Sequence, residues 1–337
     1  MEVDSVNLPW IEKYRPDSLK QIVSHGEIIK TLTKFIEENK FPHLLFYGPP
    51  GTGKTTAILA AANQLFTKKQ KASMVLELNA SDDRGINVVR ENIISFAQTK
   101  SLHTDASATK GLFKLVILDE ADAMTKDAQN ALRRVIEKYT ENVRFCIICN
   151  YLSSIIPPIQ SRCTRFRFAP LELTQIIPRL DHVIENEKLE VTEDGKKALL
   201  SLSGGDMRRV LNVLQSVSMA FDNINEDAVY SCVGQPTPKQ LDKILQTLWN
   251  DSFSACYKTL TQLCVSSGFA LTDIVTRLHL KVCELDLPQQ VLIHIVSALG
   301  DSEEKLSEGC SEKVQIAGLV AIFTQARQLL DDAAVKN

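Results

Sequence analysis

The eight residues Gly48-Pro49-Pro50-Gly51-Thr52-Gly53-Lys54-Thr55 carry the spacing G-x-x-x-x-G-K-[ST]. Glycines at these positions let backbone N–H groups turn inward around an anion, and a helix that begins there adds the positive end of its dipole. Lys54 is then placed to reach the β and γ phosphates of ATP, and the Thr55 hydroxyl to ligate Mg²⁺. A second constellation follows downstream. The apolar run Leu115–Leu118 ends in Asp119-Glu120, which would deliver Asp119 to the metal side and leave Glu120 to orient an attacking water. The ordinary readings are a glycine-rich turn that binds nothing and a strand whose acids merely enter a turn. Finding both constellations in one chain, each in the right local context, argues against them.

These residues need rigid elements behind them. The first half of the chain alternates short apolar runs with helical patterns, the signature of an α/β layer fold with a parallel sheet. The runs are His43–Tyr47, Met74–Leu78, Leu115–Leu118, Phe145–Cys149 and Phe166–Phe168. Leu115-Val116-Ile117-Leu118 is apolar without alternation, as expected of a strand buried on both faces. The first run leads into the glycine-rich loop, and a helical pattern over Thr56–Phe66 follows it. Ala128, Ala131, Leu132, Val135, Ile136 and Tyr139 recur at helical spacing, with Thr125 placed as the N-cap.

After Pro170 the strand signals stop. Leu173–Lys188 and Thr192–Leu202 read as helices, Gly204-Gly205 as a stop, and Asp206 as the N-cap of a helix carrying Met207, Val210, Leu211 and Leu214. Gly234-Gln235-Pro236-Thr237-Pro238 reads as a linker. Amphipathic patterns then run to Leu330, interrupted at Pro288 and around Gly309. The expected division is 1–168, an α/β ATPase domain; 169–233, a small helical lid; and 234–337, an all-α domain. Ser101–Thr109 is of low complexity and reads as a surface loop.

The 337 residues carry a formal net charge of −3, which alone argues against a nucleic-acid partner. The sum conceals a division. Residues 1–170 carry +5 and residues 171–337 carry −8, so the two halves are suited to different tasks. The eight cysteines do not form a dense secreted framework. Cys146 and Cys149 lie three apart in an apolar run, so a strand would point them to opposite faces, and no second such pair follows. We read them as buried thiols rather than zinc ligands. Met1–Ser5 lacks the apolar stretch of a signal peptide, and no run approaches the length needed to cross a bilayer. The expectation is an intracellular, soluble protein without membrane contact.

Asp119-Glu120-Ala121-Asp122 also spells the tetrad of DEAD-box RNA helicases. Four letters are weak, no second ATPase-like core follows, and the second half reads as helical, so a helicase is the poorer fit. Taken together, Gly48–Thr55, Asp119–Asp122, Ser161-Arg162-Cys163 and Gly205-Asp206-Met207-Arg208-Arg209 resemble an AAA+ ATPase of the clamp-loader type. With Trp10-Ile11-Glu12-Lys13-Tyr14-Arg15-Pro16 and Asn79-Ala80-Ser81-Asp82-Asp83-Arg84-Gly85 the chain is similar to the small subunits of eukaryotic replication factor C. The likeness runs from about residue 8 to 330 and is closest before residue 215.

That resemblance implies an AAA+ α/β domain with a parallel sheet, a helical lid and an all-α C-terminal collar. It implies roles for further residues. Asn150 matches a polar sensor of the γ-phosphate, although by itself it reads as an ordinary strand-end Asn. Arg162 matches the arginine finger that enters the ATP site of the adjacent subunit, acting in trans. Arg208 matches the second sensor, reaching the nucleotide of its own subunit, while Arg209 points elsewhere and Arg165 and Arg167 are solvated strand residues. Ile11, Tyr14, Arg15, Pro16, Ile22 and Val23 match the segment around the adenine ring, where Ile22 and Val23 equally read as plain core. Gly48, Pro49, Pro50, Gly51, Thr52, Gly53, Lys54, Thr55 and Thr56 complete the nucleotide site.

Arg84 and Arg90 match helix positions that face the centre of a ring and contact DNA phosphates; a solvated face or a subunit contact is the plainer reading of each, and the same holds for Arg133 and Arg134. The family's activity is ATP-driven loading of a sliding clamp onto primer–template DNA by a heteropentameric ring, in replication and repair. The resemblance therefore implies ATP and Mg²⁺ as cofactors, other clamp-loader subunits, the sliding clamp and primer–template DNA as partners, and the nucleus as location. A subunit that binds nucleotide for assembly without hydrolysing it is the competing expectation.

Overall fold

A computed structural model describes residues 8–80, 85–98 and 113–335, with side chains described over those ranges except 85–91 and 332–335. The chain forms two compact units. The first comprises Met1–Lys188 with Leu200–Gln215, the second Leu189–Leu199 with Ser216–Asn337.

The first unit is built on five parallel strands: β1 (Leu44–Tyr47), β2 (Val75–Asn79), β3 (Lys114–Asp119), β4 (Val143–Cys149) and β5 (Thr164–Arg167). Their spatial order is β2-β3-β4-β1-β5. Leu45 sits between Ile147 of β4 and Arg165 of β5, and Leu118 lies beside Ile147. Because side chains alternate across a strand, each central strand feeds two cores. Leu44, Phe46, Leu115, Ile117, Cys146 and Ile148 face one cluster. Leu45, Val116, Leu118, Phe145, Ile147 and Cys149 face the other. The expectation of a strand buried on both faces thus holds for β3, whose Leu115 and Leu118 are fully buried.

The helices of this unit are α1 (Trp10–Lys13), α2 (Gly26–Glu37), α3 (Lys54–Leu65), α4 (Lys68–Met74), α5 (Gly85–Gln98), α6 (Lys126–Tyr139), α7 (Pro157–Gln160) and α8 (Leu173–Glu187). Leu32 of α2 and Ala57, Ile58 and Ala61 of α3 cover the first face. Ile93 of α5, Leu132 and Ile136 of α6 and Ile159 of α7 cover the second. Thr125 caps α6 as its position predicts, its hydroxyl accepting the Ala128 N–H at 3.3 Å.

The second unit pairs two short strands, β6 (Glu190–Val191) and β7 (Asn223–Ile224), in parallel. These strands depart from the expectation of none after Pro170, because two residues are too few to leave a periodic signal. Helix α9 (Glu193–Ser203) begins in this unit, and α10 (Met207–Ala220) begins in the first and ends in the second. α11 (Glu226–Val233), α12 (Pro238–Asn250), α13 (Phe253–Ser267), α14 (Leu271–Glu284), α15 (Gln289–Ser307) and α16 (Glu312–Val335) follow. Leu248, Leu260, Leu278, Ile295 and Phe323 centre the core of the last five. Gly234–Pro238, read as a linker, lies within this unit; Gln235 and Pro236 are buried, and the Gln235 amide donates to Asp273 Oδ1 at 3.1 Å. No helix among the described residues is long and apolar enough to cross a membrane. Arg84 and Ser101–Thr109 lie outside the described residues, as does the side chain of Arg90.

Candidate active site

Strands β1, β3 and β4 are neighbours in the sheet and end together, so their carboxyl ends bring three distant segments to one place. From β1 comes the loop Gly48–Gly53, which enters α3 at Lys54. Its turn requires glycine. Gly48 and Gly51 have φ of 144° and 68°. A Cβ on Gly48 would collide with the Phe168 carbonyl oxygen, and one on Gly51 with Oδ1 of Asp206. Asp206 is the N-cap of α10, its Oδ1 accepting the N–H of Arg208 at 2.8 Å and of Arg209 at 3.3 Å. The loop and the start of α10 therefore fit only because position 51 has no side chain.

Lys54 is buried, with its ammonium donating to the carbonyls of Gly48 at 2.7 Å and Pro49 at 2.8 Å and to Asn150 Oδ1 at 3.0 Å. Burial pushes its pKa below the ordinary lysine value, with nearby Asp119 working in the opposite direction. All three donors thus converge on uncharged oxygens at the mouth of the loop. A phosphate oxygen is a stronger acceptor than any of them. The Thr55 hydroxyl donates to Asp119 Oδ2 at 2.7 Å, and Thr52 ties the loop to itself through the Pro49 carbonyl at 2.9 Å.

At the end of β3 the backbone turns sharply. Glu120 adopts a left-handed conformation, φ 53° and ψ 38°, and donates its N–H to Asp119 Oδ1 at 2.9 Å. Such a conformation costs a non-glycine residue about 1–2 kcal/mol and is characteristic of functional turns. It directs Glu120 to the wall of the same cavity that Asp119 lines. From β4 comes Asn150, whose N–H donates to Asp122 Oδ2 at 3.3 Å. The second oxygen of Asp122 is buried without a hydrogen-bond partner.

Together these residues border a cavity of about 310 Å³. Pro50, Gly51, Thr52, Gly53, Lys54, Thr55, Thr56, Asp119, Glu120, Asn150 and Arg208 line it, as do Ile11, Tyr14, Arg15, Pro16, Ile22 and Val23. Ile22 also packs on the core beneath, so both of its sequence readings describe it. Gly48 and Pro49, the first two residues of the loop, are not among the lining residues; their carbonyls accept from Lys54. Arg162 lies away from the cavity. Its guanidinium donates to the Pro158 carbonyl at 2.6 Å and pairs with Glu137, which Arg133 also approaches at 3.8 Å. Arg165, Arg167 and Arg209 are exposed and line nothing here.

Sequence reasoning missed Gln175 and Arg179, which also line the cavity. They stand four apart on α8, beside its buried stripe of Ile176, Leu180 and Val183. Two polar residues at helical spacing next to an apolar stripe were the available signal. Asp122 was visible only as a letter of a tetrad.

The donor set can be tested against a metal. No group of three or more His, Cys, Asp or Glu side chains able to hold an ion occurs among the described residues. Where α3 meets the end of β3 the cavity offers the Thr55 hydroxyl and the Asp119 carboxylate side by side, both hard oxygen donors. That partial shell fits Mg²⁺, which keeps waters and substrate phosphates among its ligands rather than a full protein cage. Zinc is poorly matched by the thiols. Cys146 and Cys149 face opposite cores, and burial raises both pKa values, that of Cys149 to about 12.

Residues 44–171 match the family described as "ATPase family associated with various cellular activities (AAA)", and residues 236–322 match "Replication factor C C-terminal domain". The chain is 59% identical over 326 residues to a probable replication factor C subunit 5 of Caenorhabditis elegans, covering 96% of this chain and 89% of the relative. It is 56% identical over 324 residues to human replication factor C subunit 5, covering 96% and 94%. To replication factor C subunit 3 of Schizosaccharomyces pombe it is 50% identical over 314 residues, covering 93% and 90%. Among solved structures it resembles the Thermotoga maritima RuvB Holliday junction branch migration motor, with a TM-score of 0.52 at 16% identity, covering 79% of this chain and 91% of that one. That last likeness concerns the fold alone.

Proposed function

Because this chain belongs to the replication factor C family, we propose that it binds and hydrolyses ATP as one subunit of the hetero-oligomeric clamp loader. The observation that carries this reading is the meeting of Lys54, the Thr55–Asp119 pair, Glu120 and Asn150 in a single cavity at the ends of three strands. Each has a chemical task in phosphoryl transfer. Lys54 holds the β and γ phosphates. Thr55 and Asp119 would hold Mg²⁺, which when bound would neutralise charge on the phosphate oxygens. Glu120 orients the attacking water, and Asn150, fixed by Asp122, keeps Lys54 and the terminal phosphate in register. Arg208 approaches the nucleotide of its own subunit. Ile11, Tyr14, Arg15, Pro16, Ile22 and Val23 enclose the base, an apolar slot suited to a purine.

Arg162 acts in trans. A guanidinium outside its own cavity supplies transition-state charge stabilisation only to a neighbour, which makes hydrolysis depend on assembly. The assembled ring opens a sliding clamp and places it on primer–template DNA, gripping phosphates without reading sequence; Arg84 and Arg90 belong to that contact. The three-part division into ATPase domain, lid and collar, the nuclear location and the role in replication and repair follow from the same reading. A complex carrying Lys54→Ala tests it. The variant is expected to lose ATP from this subunit and to load clamps at least tenfold more slowly on primed DNA; unaltered loading and unaltered ATP retention would contradict the proposal.

A further inference from the structure

Helix α1 has four residues and buries none of them. A single turn without a core contribution is unstable by itself, yet Ile11, Tyr14, Arg15 and Pro16 form one wall of the cavity. What fixes this segment is a set of polar contacts with residues far along the chain. Tyr14 Oη donates to Glu187 Oε1 at 2.6 Å, and Lys13 Nζ donates to the same oxygen at 2.6 Å. The Arg179 guanidinium donates to the Tyr14 carbonyl. The Trp10 N–H donates to Gln215 Oε1 at 3.1 Å, and the Tyr14 and His182 rings lie nearly perpendicular with centroids 6.3 Å apart. Glu187, Arg179 and His182 all belong to α8.

We propose that Glu187 and Arg179 are positioning residues that hold Trp10–Pro16 as a strap across the cavity and thereby set the rate at which nucleotide leaves. This rests on the reading of the cavity as the ATP site. The contacts are of the strong, charge-assisted kind. The Tyr14–Glu187 bond is partly buried and the Lys13–Glu187 pair is exposed, so the phenol is the firmer of the two ties; burial and the Glu187 carboxylate together raise the Tyr14 pKa to about 12. Burial works to raise the Glu187 pKa, but Lys13 and Tyr14 outweigh it and hold the carboxyl below its usual range. Arg179 contributes in a second way, because it accompanies Gln175 on the cavity wall while gripping the strap's backbone. Release of nucleotide past this wall requires the strap to lift, and lifting it breaks the Tyr14–Glu187 and Lys13–Glu187 bonds together.

The test uses the assembled clamp loader, loaded with a radiolabelled 8-azido-ATP, chased with unlabelled ATP, photolysed at intervals and resolved by subunit on a denaturing gel. Tyr14→Phe is expected to release label from this subunit about tenfold faster, as for loss of one charge-assisted hydrogen bond, and Glu187→Ala, which removes both the Tyr14 and the Lys13 bond, at least as fast. The double variant is expected to be no faster than the faster single, and Glu187→Gln, which keeps an acceptor but not the charge, to recover part of the retention. Unchanged release in the single variants, or effects that multiply in the double, overturn the strap. Tyr14→Phe alone decides if Glu187→Ala does not assemble. A Lys54→Ala complex serves as the separate arm: label lost there upholds the ATP site itself, and full label there overturns the reading on which the strap depends.

Discussion

Thr55 Oγ1 stands 2.7 Å from Asp119 Oδ2, so the first turn of α3 and the last residue of β3 are joined where the phosphates and Mg²⁺ would meet. Removing the hydroxyl while keeping the shape separates metal binding from nucleotide binding. Thr55→Val is expected to lower ATP turnover by this subunit at least tenfold and to raise the Mg²⁺ concentration needed for half-maximal rate. Titrating turnover against Mg²⁺ checks this, and a curve superimposable on the parent would contradict the assignment of Thr55 as a ligand.

Arg162 is held in this chain by Glu137 and the Pro158 carbonyl. An exposed ion pair of this kind contributes little stability, so replacing the arginine should leave the fold intact. Arg162→Ala is expected to slow hydrolysis at a neighbouring subunit by about 10³-fold, the scale of an arginine finger. ATP retention on this chain should be unchanged. Subunit-resolved single-turnover measurements decide the matter, and loss of ATP from this chain would show that the role is misassigned.

His43 gives the fold a defined acid sensitivity. It is buried, its Nδ1 accepts the Phe145 N–H at 3.2 Å, and burial, with Arg144 as a lesser contributor, lowers its pKa from 6.5 to about 4. Below pH 6.5 the unfolded chain takes up a proton that the native state refuses. Stability is therefore full above that pH, falls as pH drops toward 4, and is flat with respect to this group below it. The loss should total about 3 kcal/mol. Hydrogen exchange at β1 and β4 in the assembled complex measures it, and His43→Gln is expected to flatten the pH dependence. An equally steep fall in that variant would assign the sensitivity elsewhere.

Arg84 and Arg90 carry the DNA expectation. Arg84→Glu is expected to weaken binding of the whole complex to primed DNA and to reduce the slope of log affinity against log salt by about 1. The measurement is a binding isotherm at several salt concentrations. An unchanged slope would remove the phosphate contact.

The parts of the site legible in the sequence were those set by local geometry. Gly48–Thr55 and Asp119–Glu120 could be read because a loop that wraps phosphate and a strand that ends in acids need those residues at those separations. Cys146 and Cys149 could be assigned to opposite faces because a strand alternates, and they line two different cores. Strand ends were harder: Met74 closes α4 instead of opening β2, because an apolar residue suits either element. The contacts between Tyr14 and Glu187, Arg179 and the Tyr14 carbonyl, and Gly51 and Asp206 join residues more than 150 positions apart. No periodicity records such pairs; only the packing of α8 and α10 against the loop and strap brings them together. The charge division into +5 and −8 was readable, but it speaks to partners and not to the fold.

Hydrolysis by this subunit of the ATP it binds is tested most directly at Glu120. Glu120→Gln keeps the side chain's size and removes the carboxylate proposed to orient water. In an assembled complex given one equivalent of ATP per site, subunit-resolved turnover is expected to fall by about 10²-fold or more on this chain while ATP remains bound. Turnover on this chain equal to that of the parent would contradict the account.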